Sequence, residues 1–393
     1  MEIRPQPSFD NTEIAFSGKT NGELKRAYWL FKLIGNPALV VAGRIFTNVA
    51  LTLRIPIGWA LRGNIFKQFC GGETIVQCGR AVESLGKFGI GTILDYSVEG
   101  KESEADFENT KAEIILTVQE AARKGSIPFS VFKITGIARF SLLEKVNAKQ
   151  TLSDTEKLEW ERVQARVDAI CAQAAQLAVP IFIDAEDSWI QDAIDALADA
   201  MMAKYNTSGA IVYNTIQLYR HDRLAFLKTS HQKALQHNYF LGVKLVRGAY
   251  MEKERSRAAE LGYTDPIQPN KEASDRDFDL AVNYCLDNID RIAVCAGTHN
   301  EKSSLQLATA MESRNIARND KRVFFAQLFG MSDHISYNLA NAGFNVAKYL
   351  PYGPIREVIP YLIRRAQENT SVKGQTGREL TLILREMQRR KVK

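Results

Sequence analysis

Eight short runs rich in β-branched and aromatic residues recur between residues 92 and 349, and longer amphipathic stretches separate them. The runs cover 92–97, 129–135, 180–184, 210–217, 242–246, 292–296, 323–328 and 345–349. Helical periodicity fills the gaps at 103–124, 153–177, 189–205, 221–237, 275–288, 301–310 and 332–342. Strands that alternate with helices pair in parallel, because each connection must cross back over the sheet. Eight such units over about 300 residues predict an α/β fold of the (β/α)8 barrel type. A doubly wound open sheet is the competing arrangement. No GxGxxG follows any of the runs, and Gly86, Gly89 and Gly91 are irregularly spaced and precede the first one, so a Rossmann phosphate loop is not expected.

Ahead of the barrel, residues 1–88 read as mainly helical, with segments at 21–34, 38–53 and, interrupted, 65–87. The chain therefore divides into an N-terminal helical region (1–88) and a barrel domain with a basic tail (89–393), joined around 86–91. A net charge of +6 is mild, and part of it sits in the tail 385–393, which reads as a frayed, solvated terminus. No basic patch with interleaved aromatics points to nucleic acid. The five cysteines are odd in number, widely spaced and contain no CxxC, so neither a disulfide framework nor a zinc site is expected, and a reducing compartment is. The first ten residues have no apolar core and are not a signal peptide. The apolar region 27–61 is broken by Lys32, Arg44 and Arg54, which leaves it short of the roughly 20 residues a membrane span needs. It is compatible with a packed helical segment or with peripheral contact at a membrane surface.

In a barrel of this type the active site lies at the C-terminal ends of the strands. Those ends carry Asp95, Lys133 and Thr135, the run Asp184-Ala185-Glu186-Asp187, Gln217, Lys244, then Arg247-Gly248-Ala249-Tyr250, Thr298-His299-Asn300, Gln327 with Leu328, and Tyr349. Lys and Asp inside a barrel are unfavourable unless paired or ligand-bound, and Lys133 with Asp184, on adjacent strands, can pair either structurally or at a site. Beyond the last strand, 355–369 reads as a helix on which Tyr361, Arg364, Arg365 and Glu368 fall at i, i+3, i+4 and i+7. A solvated basic face has the same spacing. Adjacent guanidiniums also suit a bound carboxylate or phosphate. The summed site is rich in cations (Lys133, Lys244, Arg247, Arg364, Arg365), so an anionic ligand is expected. No metal-ligand spacing and no nucleophile elbow is present.

Six segments, in order, resemble the proline dehydrogenase family: Lys133-Ile134-Thr135-Gly136, Phe182-Ile183-Asp184-Ala185-Glu186, Val243-Lys244-Leu245-Val246-Arg247-Gly248-Ala249-Tyr250, Thr298-His299-Asn300, Gln327-Leu328-Phe329-Gly330-Met331, and the stretch from Tyr349 to Asn369. The resemblance covers about 90–371. It implies a (β/α)8 barrel that binds FAD without a Rossmann domain and oxidises L-proline to Δ1-pyrroline-5-carboxylate, the first step of proline breakdown to glutamate. By the same resemblance Arg364, Arg365 and Lys133 hold the substrate carboxylate, while Tyr349, Tyr361 and Leu328 shape the pocket and Asp184 pairs with the cations. Gln217, Lys244, Val246, Arg247, Gly248, Ala249, Tyr250, Thr298, His299, Asn300, Arg365 and Glu368 match FAD contacts, and Lys271 with Ser274 falls on the adenosine side. Lys244 stands where many bacterial relatives carry Arg, which keeps the charge and loses the planar fork. Tyr349 is absent from relatives specialised for hydroxyproline, so its presence favours proline.

The resemblance further implies a monofunctional enzyme that passes electrons to quinone. It would be cytoplasmic and peripheral on the inner membrane face, with 27–61 as the contact and a downstream pyrroline-5-carboxylate dehydrogenase as a possible partner. Two other readings fit a cationic barrel. A Lys-dependent Schiff-base aldolase or lyase would be colourless and trapped by borohydride. A catalytically silent barrel would bind no flavin.

Overall fold

The computed structural model describes residues 6–36, 65–98, 102–371 and 375–392, with the side chains of 366–376 outside that description. The sequence-predicted helix at 38–53 lies outside the described residues, as does most of the apolar region 27–61. Eight parallel strands close into a barrel in chain order. They are β1 (Ile90–Tyr96), β2 (Phe129–Phe132), β3 (Ile181–Ile183), β4 (Val212–Gln217), β5 (Leu241–Val246), β6 (Ile292–Gly297), β7 (Val323–Leu328) and β8 (Val346–Tyr352). The chain is made of two compact units, residues 1–99 with 327–393, and residues 100–326.

The 100–326 unit contains the helices α1 (Glu104–Arg123), α2 (Phe140–Asn147), α3 (Asp154–Gln176), α4 (Ser188–Tyr205), α5 (Arg223–Gln236), α6 (Met251–Leu261), α7 (Lys271–Asp287) and α8 (Glu301–Ser313). Their starts follow local chemistry. The Ser103 hydroxyl accepts from the Asp106 N–H at 3.1 Å, and at α3 Ser153 and Glu156 form a reciprocal capping box. The short helices α2 and α6 were not expected from periodicity, because each is largely held by partners from elsewhere in the chain. Ser188, for instance, donates its backbone N–H to Glu254 of α6 at 2.7 Å. Inside the unit Phe129 of β2 stacks on Phe182 of β3, with centroids 4.4 Å apart, and meets Tyr213 of β4 and Phe324 of β7 edge-on. This aromatic cluster fills the strands' shared interior.

In the other unit β1 and β8 pair in register from Ile90 with Val346 to Tyr96 with Tyr352. In the sequence Pro351 and Gly353 together read as the turn that closes the last strand. Gly353, with φ +146°, follows the strand end, but the strand runs through Pro351, whose carbonyl accepts from the Gly71 N–H at 2.9 Å. Proline lacks only the N–H, so it is tolerated where the ladder does not use that donor.

The basic tail is not frayed. Residues Gln375–Arg389 form a helix that packs on the helix Asn21–Ile34, and Leu382 and Ile383 share a core with Phe16, Leu24, Phe31 and Leu362. Arg390 donates to the carbonyls of Phe16 and Lys19 at 2.7 Å, and the buried Glu386 carboxylate accepts from Arg389 and Arg390. The partners lie about 370 positions away in sequence, where a local pattern cannot reveal them. Ala27, Leu30, Phe31 and Ile34 of the N-terminal helix are core residues, while Trp29 and Leu33 are exposed.

A second feature of this unit was not expected. Lys348 of β8 has no exposed surface, and its ammonium lies 2.9 Å from Asp333, which also meets Lys19 at 3.0 Å. Burial would push the Asp333 carboxyl up, but the two ammoniums outweigh it and hold it well below the ordinary Asp range. The ionic link fastens the N-terminal segment to β8. Lys348→Met should therefore destabilise the protein by about 3 kcal/mol, because it strands part of a buried charge network. Equilibrium urea unfolding checks this, and an unchanged midpoint would rule out a stabilising role for the link.

Candidate active site

The strand ends of the 100–326 unit converge on one carboxylate. Asp184 directly follows β3, is buried, and takes its backbone hydrogen bond to the Phe132 carbonyl at 2.9 Å. One oxygen accepts from Lys133 at 2.8 Å, and the other from Lys244 of β5. Lys133, predicted at the end of the second strand, begins a 3-10 turn just past it. Burial alone would raise the Asp184 pKa, but the two lysines outweigh it and hold the carboxyl well below its usual range. Lys244 also lies over the Phe182 ring, 5.0 Å from its centroid, so an aromatic face and a carboxylate together replace its water.

The same segment continues into Glu186. Its carboxylate accepts from the Thr135 N–H at 3.0 Å and from the Thr135 hydroxyl, and its backbone carbonyl accepts from the Gln217 side-chain amide at 2.8 Å.

A second centre forms around Arg247, just beyond β5. Its guanidinium donates to Asp275 at 2.5 Å, to the Thr298 hydroxyl at 2.7 Å and to Ser303 at 2.9 Å, and it stacks 4.4 Å from the Phe278 ring. Asp275 also pairs with Lys271. Asn300 caps α8 by accepting from the Ser303 N–H at 3.2 Å. Gly248 and Ala249 are exposed, whereas Val246, Tyr250 and His299 are half-buried. Gly248 has φ +138°, and a Cβ there would lie 2.5 Å from the Tyr219 ring, so glycine is required on both counts. Ser274 faces its own helix, 3.4 Å from the Asn270 carbonyl.

In the other unit, Tyr349 and Tyr361 are buried and Leu328 is partly so. The Tyr349 carbonyl accepts from the Phe329 N–H at 2.8 Å. Arg364 and Arg365 lie on the helix Ile355–Ser371. Arg364 is half-buried, whereas Arg365 is only 6% exposed, and its guanidinium lies 5.2 Å from the Tyr361 ring centroid. A solvated basic face does not describe Arg365. The side chain of Glu368 lies outside the described residues.

Sequence reasoning found the cations and missed most of what holds them. Phe182 reads as a core residue and Asp275 as an ordinary helical partner of Lys271, four positions away. Nothing local signals that Asp275 also meets Arg247.

A family model described as proline dehydrogenase matches residues 78–378. The chain belongs to the proline dehydrogenase family. Among curated relatives, proline dehydrogenase 1 of Dictyostelium discoideum, named as mitochondrial, is 31% identical over 97% of this chain and 74% of its own length. The hydroxyproline dehydrogenase of Xenopus laevis is 32% identical over 95% of this chain and 88% of its own. A crystal structure of proline utilization A from Bdellovibrio bacteriovorus, inactivated by N-propargylglycine, matches with a TM-score of 0.70 at 20% identity. That match covers 93% of this chain but only 37% of the other, so the chain spans about a third of the solved protein. At this identity the likeness carries the fold.

The Asp184 cluster in this family member predicts an acid-dependent stability. A depressed carboxyl pKa contributes stability that is fully present above the ordinary Asp range and is lost as pH falls through and below it. Asp184→Asn should lower the unfolding midpoint at about pH 6, and the gap to the parent protein should narrow toward about pH 3. A gap that stays constant across that range would show that the carboxylate is not held ionised by the lysines.

Proposed function

We propose that this protein is an FAD-dependent proline dehydrogenase that converts L-proline to Δ1-pyrroline-5-carboxylate. The observation that carries the reading is the family match over residues 78–378. The chemistry of the strand ends supports it. FAD needs donors for its pyrophosphate and for the polar edge of its ring, and the 100–326 unit offers Gln217, Lys244, Arg247 and the backbone around Gly248 and Ala249. Arg247 uses three of its five N–H groups on Asp275, Thr298 and Ser303. The remaining two suit a phosphate. Val246, Tyr250, Thr298, His299, Asn300 and Glu368 complete the proposed cofactor contacts, with Lys271 and Ser274 toward the adenosine. When bound, FAD supplies the acceptor for the hydride that leaves proline C5.

The protein's part is orientation and charge. Lys133, Arg364 and Arg365 hold the substrate carboxylate, which fixes which ring carbon is presented. Leu328, Tyr349 and Tyr361 form the apolar and phenolic walls. Asp184 holds Lys133 and Lys244 in place. A locally positive site favours the neutral form of the substrate amine, and only that form can release hydride from the adjacent carbon. After hydride loss the nitrogen sheds its proton to leave the ring C=N. Tyr349 favours proline over hydroxyproline.

We further propose that electrons pass to quinone at the membrane surface, with residues 27–61 as a peripheral contact. Among the described residues no helix is long and apolar enough to cross a membrane. The exposed Trp29 and Leu33 support surface contact. Trp29→Asp together with Leu33→Asp leaves the core face of the helix Asn21–Ile34 intact and should lower co-flotation with anionic liposomes, and undiminished flotation would defeat contact through this helix.

The central test is the visible spectrum of the purified protein before and after anaerobic L-proline. Flavin bands that bleach are expected. Arg365→Met should retain the bands and raise the proline KM by about 100-fold, since it removes a charged partner of the carboxylate. A colourless protein that takes up no FAD would point instead to Schiff-base chemistry or to a catalytically silent barrel, and an unchanged KM would remove Arg365 from the substrate site.

A further inference from the structure

Two parallel rungs join the turn after β2 to the segment after β3. The first is Lys133 with Asp184, at 2.8 Å. The second, two residues further along each segment, is Thr135 with Glu186. In the second rung a carboxylate takes both the backbone N–H and the hydroxyl of one residue, which fixes the distance and the angle between the segments together.

Glu186 is gripped from two other sides through its backbone. Its N–H donates to the Gln191 side-chain carbonyl at 2.8 Å. The Gln191 amide has no choice of orientation, because its NH2 end donates to the Asp195 carboxylate, an obligate acceptor, at 2.8 Å. Asp195 is held in turn by Arg223 at 2.5 Å and by Asn214 at 2.8 Å. On the other side the Glu186 carbonyl accepts from the NH2 end of Gln217. A carbonyl can only accept, so Gln217 must turn its own oxygen away, as an acceptor for whatever meets that strand end. All of these side chains but Lys133 and Thr135 are buried.

We infer that Glu186 is a positioning residue for the reaction proposed above. Its carboxylate clamps the segment after β3, so that Asp184 meets Lys133 and Lys244 in one geometry and Gln217 presents one end of its amide. The assignment rests on the reading of Lys133 as a substrate contact and of Gln217 and Lys244 as flavin contacts. Glutamine at position 186 can keep both bonds of the rung, accepting from the Thr135 N–H and donating to its hydroxyl oxygen, whereas alanine keeps neither. The clamp therefore depends on shape and hydrogen bonding, and the conservative variant is the control.

The test uses full-length protein and three readouts. These are amide exchange at Thr135, the FAD dissociation constant from fluorescence titration without substrate, and kcat/KM for proline. In Glu186→Ala the Thr135 amide should exchange faster, and FAD affinity and kcat/KM should each fall by about 10- to 100-fold, the scale of a displacement near 1 Å. Glu186→Gln should recover both to within about 3-fold. A Glu186→Ala protein that binds FAD and oxidises proline like the parent overturns the clamp, as does a Gln variant no better than the Ala variant. If Glu186→Ala does not fold, Thr135→Val removes the hydroxyl half of the rung and should shift the same readouts in the same direction, and no shift overturns the inference. A parent protein that neither binds FAD nor oxidises proline would defeat the functional reading instead. The clamp would then stand or fall on the Thr135 amide, and unchanged exchange in Glu186→Ala would overturn it.

Discussion

A single carboxylate joins two lysines at the strand ends of the larger unit. Taking two ammoniums and a carboxylate out of water is unfavourable by several kcal/mol per ion, and geometry must repay it. Here Asp184 gives one oxygen to Lys133 and the other to Lys244. Phe182 supplies an aromatic face to Lys244, and through its stack with Phe129 it ties that ammonium to the barrel's aromatic filling. Both ammoniums are thereby fixed by one carboxylate, so their positions are set by the strands that carry them.

The same solution recurs in the other unit with a different purpose. Asp333 sits between Lys348 and Lys19, as Asp184 sits between its lysines. Lys348 has no exposed surface, and its ammonium is further satisfied by the Met331 carbonyl. This carboxylate joins a barrel strand to the N-terminal segment. The helix Gln375–Arg389 then packs on that segment through Leu382 and Ile383. Segments that look dispensable in sequence are bound to each other, and Arg385 and Arg389 of the tail pair with Asp10 and Glu13.

Arg247 shows how a proposed ligand contact can also be a structural hub. It draws Asp275 and Phe278 of α7, Thr298 after β6 and Ser303 of α8 to the end of β5. The guanidinium plane allows this, since its N–H groups diverge within one rigid fan while its faces stay available for stacking. The ammonium of Lys244, compact and flexible, instead fits between one carboxylate and one ring. The two cations, Lys244 on β5 and Arg247 just beyond it, are not interchangeable, although both read as basic strand-end residues.

What the sequence determined by itself was periodic or local. The eight strands and most of the helices followed from hydrophobic period, and the family was legible because its motifs occupy strand ends in order. The cations were visible because a lysine or arginine in an apolar run demands a partner. The partners were decided only by the tertiary structure. Asp275 meets Arg247 across 28 positions, Glu186 meets Thr135 across 51, and Arg390 meets Phe16 across 374. Lys348 passed as an ordinary residue beside Tyr349, because alternation along a strand tells which faces differ and not what covers each one. Burial and pairing are properties of the closed fold: the dielectric and the neighbours that move a carboxylate far from its ordinary pKa do not exist until the strands have come together.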